Sequence, residues 1–208
     1  EEQFQLIVSL QPKTSYYWDV GAWHLAYNAA VDYKEREELP APRQEALHRS
    51  YVLKGRAFLE RGVRNNPHDW TLLSSLGRFY GTASKYPDYE KSAAAYQRAW
   101  ETKKARNYEA RAWLYSLARV PGEEQAALAL ARQLFATPTN RVDTLRCLLF
   151  VLEWRSGDQV NTYELLKKLF PSDKEAINML EIYQMNNAEQ LPIAGVDHAL
   201  QVLKEQVK

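Results

Sequence analysis

Among the side chains that could do chemistry, His24 and Asn28 stand out. They lie four residues apart in Trp18-Asp19-Val20-Gly21-Ala22-Trp23-His24-Leu25-Ala26-Tyr27-Asn28. On a helix that spacing puts an imidazole and a carboxamide on one face. One reading is a polar pair inside a ligand groove walled by Trp23 and Tyr27. The other is a buried pair that hydrogen-bonds the backbone of the 35–43 connection and pins it, since buried polar groups must find partners. An enzyme would need its pocket here, around His24, Asn28 and Asp19.

The remaining reactive types are not arranged for catalysis. His24, His48, His68 and His198 show neither a His-x3-His nor a Glu-flanked zinc spacing. Cys147 is the only cysteine, which excludes an intrachain disulfide and a Cys-based metal site. Within Cys147-Leu148-Leu149-Phe150 it reads as a small buried hydrophobe, mid-helix among leucines, where a thiol would need a helix N-terminus or a cationic partner to be activated. Glu123-Glu124 follow Pro121-Gly122 at a helix start, where carboxylates complement the helix dipole. No phosphate-cradling glycine loop and no Gly-x-Ser-x-Gly elbow occurs. The chain is therefore expected to have no catalytic residues, no metal and no cofactor.

The totals narrow the partners. Across 208 residues, 27 basic side chains face 26 acidic ones, for a formal net charge of +1. Residues 1–104 hold 15 of the basic and 13 of the acidic groups, so neither half is a polycation. Binding driven by phosphate neutralisation is disfavoured on that ground. No run approaches the ~20 apolar residues that would span a bilayer. The chain opens Glu1-Glu2 without an initiating methionine, which points to something missing upstream. Compartment stays open between cytoplasmic and exported or membrane-anchored.

The elements that must position these groups read as helices throughout, because period-two alternation is nowhere sustained. Trp18, Ala22, Leu25, Ala26 and Ala29 recur at helical intervals over 15–34. Leu39-Pro40-Ala41-Pro42 breaks the pattern, and a long helix follows over about 43–65, closed by Asn65-Asn66-Pro67. It carries Gly55 and Gly62, each costing ~1 kcal/mol against Ala inside a helix, so close backbone approach is the expected reason for them. Arg43, Arg49, Lys54, Arg56, Arg61 and Arg64 make it basic against Glu45 and Glu60, the expected picture being a solvated face with salt bridges. Leu73, Leu76, Gly77 and Tyr80 form one face of the next helix. Asp88 is placed to cap the helix after it.

The succession Gly55, Leu59, Gly62, Pro67, then Leu73, Leu76, Gly77, Tyr80 resembles the tetratricopeptide repeat, in a divergent form of the bacterial type. The family's second helix has Ala, an aromatic, Ala and Pro, where the first four have Gly, Leu, Gly and Pro. Its first helix has apolar, apolar, Gly and Tyr, as in the second four. Gly21 sits where that helix usually has Leu. The resemblance implies an all-α fold, a right-handed α-solenoid of antiparallel helix pairs, as a single domain over 1–208. A partial helix over 1–12, with Phe4, Ile7 and Pro12, would precede repeats at about 15–68, 70–106, 107–138, 140–171 and 173–207. The turn Ser156-Gly157-Asp158 would separate the helices of the fourth, and a loose connection, Asn186 to Gly195, those of the last.

The family's concave groove carries over to Tyr16, Asp19, Trp23, Ala26 and Tyr27 in the first repeat. In the second it carries over to Thr71, Ser74, Arg78, Gly81 and Thr82. Large aromatics with an arginine suit peptide capture, since such side chains dominate interface hot spots. The resemblance thus implies a non-catalytic scaffold or adaptor binding a protein or peptide through Tyr16, Asp19, Trp23, Tyr27, Ser74 and Arg78. The alternatives are a core role for those aromatics, or a structural or oligomerisation module whose self-association would use 173–207. The Lys/Asn/Arg set with which some members clamp a C-terminal carboxylate is not reproduced.

Overall fold

The computed structural model describes residues 2–157 and 161–207, so Glu1 and Asp158 lie outside the described residues. All regular structure among them is helical, with no strand, as the sequence periods require. The chain forms two compact units, Glu1–Glu109 and Ala110–Lys208.

In the first unit α1 (Glu2–Leu10) and α2 (Ser15–Trp23) precede a π-helical turn, His24–Ala29, which runs on into α3 (Ala30–Lys34). α4 (Ala41–Asn65) lies along α2, the π turn and α3. It starts two residues before the expected boundary. Pro42 falls in its first turn, where a missing N–H costs nothing. α5 (Trp70–Gly81) packs on α4 and extensively on α6 (Tyr89–Glu101). Asp69 caps α5 by accepting from the Thr71 and Leu72 amides, and Asp88 caps α6 by accepting from that of Lys91.

Glycine sets the helix spacing here. A Cβ on Gly62 would come 2.6 Å from the Cβ of Trp18, one on Gly55 2.7 Å from that of Ala26, and one on Gly21 2.7 Å from the Phe58 ring. Trp18 and Phe58 are thus seated on glycines of the opposite helix. The small residues are there for close approach, as their spacing predicts. Leu59, Leu72, Leu73 and Phe79 complete the core around these two rings.

The second unit holds most of α7 (Asn107–Leu117), α8 (Glu124–Ala136) and α9 (Asp143–Ser156), then α10 (Thr162–Leu169), α11 (Asp173–Asn187) and α12 (Val196–Gln206). Residues 147–152 of α9 are buried in succession, the mark of a helix enclosed on every side; α8, α10 and α11 all pack on it. Gly157, at φ +75°, closes α9 in the left-handed cap that glycine favours. The connection before α12, expected to be loose, is tied down. The Tyr183 hydroxyl donates to the Pro192 carbonyl at 2.8 Å. No helix among the described residues is long and apolar enough to cross a membrane.

Candidate functional site

Seating Trp18 against α4 fixes the roll of α2. Its indole N–H donates to the Pro12 carbonyl at 2.9 Å, and its ring is 2% exposed. Other residues of the α2–π turn segment then reach solvent. Tyr16 is 67% exposed and Trp23 43%, while Tyr27 is half-buried. Trp23 and Tyr27 stack nearly parallel, ring centroids 5.9 Å apart at 15°. Tyr27 is then edge-on to Phe79 of α5 at 5.4 Å, its hydroxyl lies 3.4 Å from Thr82 Oγ1, and Lys85 Nζ stands 4.9 Å over its ring.

Of the six residues singled out in the sequence, the structure joins Trp23 and Tyr27. Arg78 stands exposed on α5. Tyr16 meets its neighbour Tyr17 edge-on, and Ser74 is occupied in donating to Glu109 Oε1 at 3.1 Å. Asp19 is the unusual member: its Oδ1 is shielded from solvent and accepts no hydrogen bond from the protein. A buried acceptor left so is uncommon in native proteins and calls for an explanation.

His24 and Asn28 do pair, but both are exposed, so the pinning role falls away. Asn28 Nδ2 donates to His24 Nδ1 at 2.8 Å. The 35–43 connection is held instead by Gln44, whose Nε2 donates to the carbonyls of Arg36 (2.7 Å) and Leu39 (3.0 Å). The pair lies at a cleft of about 410 Å³, whose aromatic walls are Phe4, Tyr33 and Tyr51 in place of the expected Trp23 and Tyr27. Leu25 and Ala29 of the π turn add apolar surface and Asp32 a carboxylate.

A buried basic cluster in the same unit carried no sequence signal. Arg56, expected on a solvated face, is 6% exposed and donates to the carbonyls of Phe79 (3.1 Å), Tyr86 (2.8 Å) and Lys85. Its Nε has no partner. Lys85 and His48 are buried beside it, with Lys85 Nζ 3.4 Å from His48 Nε2 and His48 Nδ1 2.9 Å from the Tyr86 hydroxyl. That hydroxyl donates to Glu45. Burial first, then the charge of Lys34, holds the Lys85 amine below its ordinary value. Desolvation likewise lowers Arg56. Three other cations of α4 reach rings: Arg49 lies over Tyr86, Lys54 over Tyr51 and Arg61 over Trp18.

In the second unit Cys147 is wholly buried, and burial, with Asp143 adding to it, pushes its thiol up to about 12. Glu124 is held below the usual carboxylate range by backbone N–H groups at the start of α8, and lies 3.5 Å from Arg155. Among the described residues no group of three or more His, Cys, Asp or Glu side chains could hold a metal ion. No family model, no curated protein and no solved structure matches the chain.

Proposed function

We infer that this chain is a non-catalytic binding scaffold of the tetratricopeptide kind, its units being short runs of antiparallel helix pairs stacked as solenoids. Packing of successive helices on one another, α4 on α5 and α5 on α6, and glycines at the points of closest approach support that reading. A peptide or protein partner would sit on the face carrying Trp23 and Tyr27. The observation that carries this is the solvent-open Trp23–Tyr27 stack, a ready-made aromatic anchor.

The test is a selection of peptides from a random display library against the wild-type chain. Binders are then titrated against Trp23→Ala and Arg78→Ala. Both side chains are solvent-exposed, so circular dichroism should be unchanged. The expected loss on removing Trp23 is about 30-fold, the size of an aromatic hot spot. Binders that hold equally well to Trp23→Ala would remove the proposed face from the site.

A further inference from the structure

The cleft at the π turn has an architecture of its own. Its walls are two ring stacks: Phe4 on His24, at 5.4 Å and 26°, and Tyr33 on Tyr51, at 4.8 Å and 29°. Arg36 lies 4.6 Å over Tyr33 and Lys54 4.6 Å over Tyr51, which holds the tyrosine stack in place. The stacked tyrosines thus offer ring edges, and aromatic edges favour another flat ring over an aliphatic group of equal size. The volume of about 410 Å³ lies in the range of small-molecule sites.

The polar groups specify what that ring should carry. Asn28 Nδ2 donates to His24 Nδ1, which leaves Nε2 as the ring nitrogen that bears a proton. The pair leaves two groups to a ligand, the His24 Nε2–H as donor and Asn28 Oδ1 as acceptor, while the Tyr33 and Tyr51 hydroxyls lie 3.4 Å from each other. A primary carboxamide offers the complement of both in one planar unit, its carbonyl to the imidazole N–H and its N–H to the amide oxygen. A carboxylate would set an acceptor against Asn28 Oδ1, and a cation would find no free carboxylate. The one carboxylate of the lining, Asp32, is already paired with Arg36 at 2.8 Å. A π turn is rare, and such turns recur at functional sites; here it displays His24 and Asn28 side by side.

We propose that this cleft is a binding site for an uncharged aromatic carboxamide. The proposal stands apart from peptide capture at the Trp23–Tyr27 stack and survives or fails without it. Benzamide, cyclohexanecarboxamide and benzoate are titrated into the full chain, with binding read by saturation-transfer NMR. Benzamide is expected to bind at least about tenfold more tightly than either control, a difference of one ring or hydrogen-bonding term. Asn28→Ala, at an exposed position, should weaken it by about the same factor. Ala29→Phe, which fills the cleft, should abolish it. Should that variant fail to fold by circular dichroism, Asn28→Ala decides alone. Equal binding of cyclohexanecarboxamide, undiminished binding to Asn28→Ala, or no saturable benzamide binding would each overturn the proposal.

Discussion

His48 shows how much one buried side chain can depend on its neighbours' protons. The Lys85 ammonium can only donate, so His48 Nε2 accepts and Nδ1–H points to the Tyr86 oxygen. Desolvation holds the imidazole below its ordinary 6.5, helped by the charges of Lys85 and Lys34 and opposed by Glu45; Arg49, over the Tyr86 ring, adds to the positive surroundings. A folded-state value below the unfolded one means that the unfolded chain takes up the proton first. Stability is therefore unaffected above pH 6.5, falls as pH drops from there through the folded value, and is level below it. The carboxylates of Asp69 and Asp88, both lowered from 3.8, lose their stabilising effect only in a separate, more acidic window. Tm measured from pH 7 to 5 should fall more steeply in the wild type than in His48→Gln, whose amide can still bond but does not titrate. Parallel slopes would show that His48 takes no part. None of this was legible in the sequence. Tyr86 adopts a left-handed φ of 55°, which turns the loop carbonyls toward Arg56, and no local residue pattern announces that a loop will need buried donors.

Helices were legible because their signals are local. Apolar period, the capping aspartate at 88, and the proline breaks all act within a turn or two of the residue that carries them. The π turn was not legible. His24–Ala29 reads as ordinary α-helix in sequence, and the widening occurs where Gly55 of α4 comes against Ala22 and Ala26, a contact made only on folding. The glycines could be read at both levels, as weak points in a helix and as seats for a neighbour. Gly62→Ala separates the two. If helix propensity ruled, alanine would stabilise by ~1 kcal/mol. The added Cβ would instead lie 2.6 Å from Trp18 Cβ, with the indole already bonded to Pro12 and Phe58 packed on it at 5.0 Å. Overpacking should prevail, with a net destabilisation of about 1–3 kcal/mol in urea unfolding. Stabilisation would mean that α2 can retreat from α4 freely.

At the scale of the whole chain, the candidate binding groups, the buried basic cluster and all three seat-forming glycines of α2 and α4 belong to the Glu1–Glu109 unit. The Ala110–Lys208 unit is dominated by its enclosed helix α9. Cys147, in this unit, is the chain's only cysteine, which makes it a clean reporter. Cys147 is 0% exposed, and its thiol is pushed up to about 12, so near neutral pH the nucleophilic thiolate is scarce and out of reach. Modification then has to wait for α9 to open. A core helix opens with a free energy near that of global unfolding, and a unit stable by about 5 kcal/mol is open only roughly once in several thousand. Maleimide or disulfide-exchange labelling in native buffer should accordingly run about a thousandfold or more slower than in denaturant, accelerating with added urea as helical signal is lost. Stoichiometric labelling within minutes in native buffer would instead show an accessible thiolate. In that case a nucleophilic role for Cys147 would return, and the non-catalytic reading of the chain would have to be given up.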